Sequence, residues 1–179
     1  MVTNNMYFES CPTSRLELIS IAKDCKTVWK IEELFFPIIK IYDDLMDAKK
    51  LFYLVVEDSD PIFKDENELA YYSYNENLVY IKESVWMEAE QNIGRSRFTL
   101  THELCHYLLI RVLGFGYKEV QKEPVKYKDP DWQADFLAGA LLMDFDKTEG
   151  MSVSELIDLC KVSEEAAIVH ISASKSLKK

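Results

Sequence analysis

Apolar side chains recur at helical spacing early in the chain. Leu18, Ile21, Ala22, Cys25, Val28 and Trp29 follow one another at intervals that line one face of an α-helix. Ser14 and Glu17 stand just upstream with the spacing of a capping box, so this helix begins near Ser14. Pro37 interrupts the pattern, and residues 38–48 form a second helical stretch. The character then changes. Residues 51–57 (LFYLVVE) are a short apolar run rich in strand formers, and residues 58–68 are acidic and loop-like. Residues 69–74 (LAYYSY) and 78–82 (LVYIK) flank the turn-like Asn75, Glu76 and Asn77, which predicts a hairpin. Together these runs predict a small antiparallel sheet of about three strands.

Beyond Ser84 the pattern is helical again. A short helix over 85–91 precedes Gly94, and Ser96 is placed to cap a longer helix reaching residue 113. Residues 114–130 contain Gly114, Gly116, Pro124 and Pro130 and read as a long polar connection. Residues 131–143 are helical, Ser152 or Ser154 starts a helix through Cys160, and Ser163 caps a last helix over 163–176. Residues 1–13 show no periodicity and are expected to be a loose N-terminal segment. No internal repeat or low-complexity tract appears. The order of helices, small sheet and helices predicts an α+β fold in a single domain spanning 1–179.

Composition narrows the function classes. A hydrophobic fraction of 48% can supply a core, and 29% charged residues is ordinary for a globular chain. The net charge of -10 argues against direct nucleic-acid binding, which needs clustered cations, and only Lys175, Lys178 and Lys179 gather near one end. Cys11, Cys25, Cys105 and Cys160 are widely spaced without a CxxC pair, so free thiols are expected rather than a disulfide framework or a thiolate zinc site. The N-terminus lacks the basic and apolar regions of a secretory signal, and the most apolar stretch, FLAGALLM, is too short to span a bilayer. A cytoplasmic location without membrane association is the expectation.

The chemistry concentrates at residues 102–106, His-Glu-Leu-Cys-His. Four residues make about one helical turn, so His102 and His106 project from one face and can bind one Zn²⁺. Glu103 lies about 100° round the helix. There it stands clear of the ligand plane but within reach of a zinc-activated water, as a general base. The chain has three histidines, two of them here. A chance HExxH arises on the order of once in a couple of hundred chains of this composition.

A catalytic zinc site takes a third protein ligand. No third histidine follows at the metzincin spacing, where the sequence reads YLLIRVLGF. A carboxylate on a later helix is then required. Asp131 and Asp135 are one turn apart in DWQADFLAGALLM, so one can bind metal while the other accepts the ring N–H of a zinc-binding histidine. Cys105 reads as a buried small residue rather than a ligand. His170 is a lone helix histidine with nothing around it to suggest catalysis. Tyr107 and Tyr127 are candidate transition-state donors among ten tyrosines.

RFTLTHELCHYLL, DPDWQADFLAGALLM and the later VSEEAA together resemble the ImmA/IrrE family of metallo-endopeptidases over roughly residues 40–170. The resemblance implies a zincin-like, gluzincin-type core with His102 and His106 as zinc ligands and Glu103 as catalytic base. It places the third ligand on Asp131 and leaves Asp135 supporting a histidine. Asp131 is then expected nearer the two histidine rings than Asp135. Three residues depart from the family pattern: Asp131 replaces the longer Glu, Cys105 replaces Gly, and Asp144 stands where Pro is usual. The resemblance further implies cleavage of a helix-turn-helix transcriptional repressor in prophage, mobile-element or stress regulation. With no DNA-binding domain evident here, that repressor would be a separate chain. The alternative is a protein that keeps the fold but turns over little and acts as a regulatory binding partner.

Overall fold

The computed structural model describes residues 7–65 and 67–177, so Lys178 and Lys179 of the C-terminal lysine group, and residues 1–6 of the segment expected to be loose, lie outside it. Its architecture is mixed α and β: helices surround two small sheets. Among the described residues no helix is long and apolar enough to cross a membrane.

The first strand, β1 (Tyr7–Glu9), is followed by α1 (Arg15–Val28) and α2 (Ile38–Asp47). The Ser14–Glu17 capping box is formed in both directions and starts α1. Next come β2 (Phe52–Val56), β3 (Ala70–Ser73) and β4 (Leu78–Lys82), then α3 (Glu83–Glu90) and α4 (Gly94–Tyr107). A π-helical turn, Leu108–Val112, extends α4. After β5 (Lys118–Val120) and a 3-10 turn at Lys126–Lys128 come α5 (Pro130–Leu142), α6 (Val153–Cys160) and α7 (Glu164–Leu177). Ser152 caps α6 through a second capping box with Glu155.

Three expectations are corrected. The three-stranded sheet is mixed, not antiparallel: its order is β2-β4-β3, with β4 antiparallel to β3 but parallel to β2. Side-chain alternation reports which face a strand buries, not which neighbour it pairs with. The hairpin was readable because its turn is local; the β2–β4 pairing is not local. Second, residues 7–13 are tied down. β1 pairs antiparallel with β5, inside the stretch read as a polar connection. The Ser10 and Thr13 N–H groups donate to the Lys128 and Tyr127 carbonyls at 2.7 and 2.9 Å, and Gln133 Nε2 donates to the Cys11 carbonyl at 2.7 Å. Third, α4 begins at Gly94, not Ser96, whose hydroxyl donates to Glu88 from inside the helix.

Gly94 explains that start. A Cβ there would lie 2.3 Å from Ser163 N and from Val162 C, so only glycine lets α4 meet the α6–α7 link. The rest of α4 is anchored as firmly. Leu100 and Leu104, continued by Leu108 in the π-helical turn, form its buried stripe, each worth roughly 1.5–3 kcal/mol of burial. Arg97 is also buried and donates to the Phe36 and Lys161 carbonyls at 2.7 and 3.1 Å. Tyr42 Oη donates to the Leu100 carbonyl at 2.9 Å. α4 thus packs against α2, α3, β3 and α5, while α1 covers another side of α5.

At the end of α5, Asp144 accepts the N–H groups of Asp146 and Lys147 and faces buried Lys26 at 3.4 Å. A proline there would lack that carboxylate. Nearby, Thr148 Oγ1 donates to the Asp144 carbonyl, so it has only a lone pair to offer His170 Nε2 at 2.8 Å. His170 is therefore a neutral, buried donor. Burial, aided by the Lys26 charge, depresses its pKa from 6.5 to about 4. The unfolded chain then binds a proton that the folded chain refuses, so stability falls as pH drops through 6.5 toward 4. Urea unfolding of wild type and His170→Gln should show wild type losing about 2 kcal/mol more than the variant between pH 7 and pH 5. Equal losses would refute the assignment.

Candidate metal centre

Because Leu100, Leu104 and Leu108 turn inward, the opposite face of α4 presents His102 and His106 one turn apart. Their Nε2 atoms lie 2.9 Å apart with ring planes at 76°. Each outer nitrogen has a partner. His102 Nδ1 lies 2.8 Å from Asp135 Oδ1, and His106 Nδ1 lies 2.7 Å from the Tyr117 hydroxyl. An ionised carboxylate only accepts, so His102 donates from Nδ1 and its Nε2 lone pair points inward. The Tyr117 hydroxyl can accept from His106 Nδ1 or donate to it; when it accepts, the His106 Nε2 lone pair points inward as well. Two lone pairs facing at this distance repel unless a cation or a shared proton lies between them.

Asp131, in the first turn of α5, completes the group. Its Oδ1 lies 3.4 Å from His106 Nε2, and one ligand atom from each of His102, His106 and Asp131 fits within a 4.8 Å set. α5 starts where it does because Pro130 occupies its first turn and Asp129 accepts the Asp131 N–H at 3.0 Å. When Tyr117 instead donates, His106 Nε2–H faces Asp131, and that hydrogen bond holds the Asp131 carboxyl below its usual pKa. Two imidazole nitrogens and a carboxylate oxygen, with the rear nitrogen of each ring hydrogen-bonded, fit a divalent zinc-type ion. These three residues are the ones that could hold it.

Glu103 sits beside the pair, 8% exposed, and its Oε2 accepts the Tyr72 N–H from β3 at 2.8 Å. Burial pushes its pKa up; the two histidines oppose this without reversing it. Burial alone would lower the His102 pKa, but the Asp135 hydrogen bond and the Glu103 charge outweigh it and raise it. A carboxylate raised in this way is a stronger base than an exposed one.

The structure therefore gathers His102, Glu103, His106, Asp131 and Asp135 in one place. Asp131, not Asp135, groups with both histidine rings within 4.8 Å, although Asp135 makes the shorter single contact, at 2.8 against 3.4 Å. The two acids address different nitrogens, Asp135 the rear of His102 and Asp131 the inward face of His106. Asp131 is also 80% exposed on its side chain, as expected of a short carboxylate at a helix start. Cys105 is fully buried and its thiol is pushed well up, so it offers no thiolate. His170 is committed to Thr148. Tyr127 is half exposed, while Tyr107 packs edge-on against Tyr72.

Two contributors were missed from sequence. Tyr117 lies in the stretch read as a connection, where nothing in the pattern marks its approach to His106. Tyr72 acts through its backbone N–H, which no side-chain motif records. No model of a known protein family matches this chain, and no curated protein does.

The partners behind the rings give a direct test of the centre. Asp135→Asn and Tyr117→Phe should each weaken zinc binding about 10- to 100-fold, measured by chelator competition. His102→Ala should remove tight binding. Unchanged affinity in both partner variants would contradict the orientation described.

Proposed function

We propose that this chain is a zinc-dependent endopeptidase with a zincin-like core and α4 as its active-site helix. The observation that carries the reading is the convergence of His102 Nε2, His106 Nε2 and Asp131 Oδ1 beside a buried Glu103. When bound, zinc would supply Lewis acidity at the scissile carbonyl and lower the pKa of water to about 7.

The chain's own residues would do the rest. Asp135 and Tyr117 hold the ring tautomers. Tyr72 N–H fixes Glu103 Oε2, which leaves Oε1 to take the proton of the attacking water and deliver it to the leaving amine. β3 is an edge strand of its sheet and lies on α4, so an extended substrate can lie along it through backbone hydrogen bonds with its scissile carbonyl near Glu103. The motif resemblance to ImmA/IrrE peptidases narrows the substrate to a cytoplasmic helix-turn-helix transcriptional repressor. One cut in a repressor's linker would separate DNA binding from dimerisation.

A second reading is favoured by one observation, the exposed and short Asp131 at 3.4 Å from His106. A weakly held metal would leave a regulatory protein-binding partner with little turnover.

Glu103→Gln separates the two. Purified protein with zinc should cleave the repressor encoded beside its gene, and Glu103→Gln should slow cleavage about 10²- to 10⁴-fold while still binding zinc. Equal processing by both proteins would end the peptidase reading.

A further inference from the structure

A groove of about 730 Å³ opens between α4, α5 and α7 and meets the histidine cluster at Asp135. Its size is that of a site that encloses a ligand or several side chains. Phe98, Trp132, Phe136 and Phe145 line it, all half-buried. Phe136 stacks on Phe145 and tilts against Trp132, both with centroids 5.8 Å apart. The α7 wall adds Ile168 and Val169, which are 50% and 62% exposed.

Gly139 also lines this groove, in the middle of α5. A mid-helix glycine weakens a helix and normally marks a close packing approach. None exists here: a Cβ at Gly139 would meet no heavy atom within 4 Å among the described residues. The missing side chain instead leaves the groove open.

The rim is cationic. Arg15, Arg95 and Lys126 line the groove, and none forms an ion pair with a carboxylate among the described residues. Arg15 donates to the Ser176 hydroxyl at 2.8 Å, and Lys126 lies 5.9 Å from the Trp132 ring centroid. Of the lining carboxylates, Asp135 is engaged by His102, which leaves Glu165. Three such cations are a local reversal of sign on a chain of net charge -10.

We propose that this groove binds an acidic–apolar segment of the polypeptide substrate, its apolar side chains on the rings and its carboxylates at the rim. The assignment rests on the peptidase reading only in taking the occupant for a substrate. Charge complementarity selects the acidic flanks, because like charges across an interface are penalised. A long polyanion such as nucleic acid would meet the net negative charge of the whole chain.

The test uses the full-length Glu103→Gln chain and fluorescence anisotropy of labelled peptides of about 15 residues, with Leu and Phe anchors flanked by either glutamates or lysines. The glutamate-flanked peptide should bind at least about tenfold tighter, with a preference that weakens in salt. Gly139→Leu should abolish its binding, since a Cβ there meets no neighbour and the side chain grows into the groove. The double variant Arg95→Glu with Lys126→Glu should invert the preference. Both variants should unfold at the parent's urea midpoint.

Equal binding of the two peptides, or binding unchanged by Gly139→Leu, would overturn the proposal. So would tighter binding of an oligothymidylate that the same variants remove. Failure of the two readings is distinguishable. If Gly139→Leu in the Glu103 background cleaves repressor at the full rate, the groove assignment fails and the peptidase stands. If the glutamate-flanked peptide binds as described but the Glu103 chain cleaves no repressor, the peptidase reading fails and the binding groove stands.

Discussion

The packing of α4 against α5 is the constraint on which the rest of the structure depends. α4 carries both histidines and Glu103, and α5 carries both aspartates. Neither helix alone provides a three-donor set. Their contact buries Leu100 and Leu104 on one side and Ala134, Leu137, Ala138 and Leu141 on the other. The first turn of α5 packs beside α4, which puts the short Asp131 carboxylate 3.4 Å from His106.

Several elements fix where that first turn lies. Asp129 caps α5, and Gln133 ties it to the Cys11 carbonyl of the N-terminal segment and the Tyr127 carbonyl of the 3-10 turn. At the far end Asp144 joins α5 to α1 through Lys26. α4 is fixed in turn by Arg97, whose guanidinium is satisfied by carbonyls and forms no ion pair among the described residues. Burial lowers the Arg97 pKa to about 10, which still leaves it charged at neutral pH. Ordinary stabilising interactions, placed at both ends of both helices, thus determine the distance between the imidazoles and the acid.

Elements that rest on local chemistry were legible in the sequence. The Ser14 and Ser152 capping boxes, the β3–β4 hairpin and the one-turn spacing of His102 and His106 each depend on residues a few positions apart. The contacts that escaped are non-local. β1 pairs with β5 across more than a hundred residues, and β2 joins β4 in parallel. Tyr117 reaches His106 only because the chain after the π-helical turn folds back over the site. The Tyr72 N–H meets Glu103 because β3 is an edge strand lying on α4. Such contacts follow from the packing of elements, which hydrophobic periodicity does not encode.

X-ray absorption at the zinc edge tests most directly the proposed site, in which two imidazoles and one carboxylate would hold a single zinc ion. The account predicts one equivalent of zinc with nitrogen and oxygen neighbours at about 2.0–2.2 Å, including two imidazole scattering patterns. Asp131→Ala should lose one protein oxygen and keep both imidazoles. A sulfur neighbour at about 2.3 Å, a shell without imidazole, or a spectrum unchanged by Asp131→Ala would contradict it.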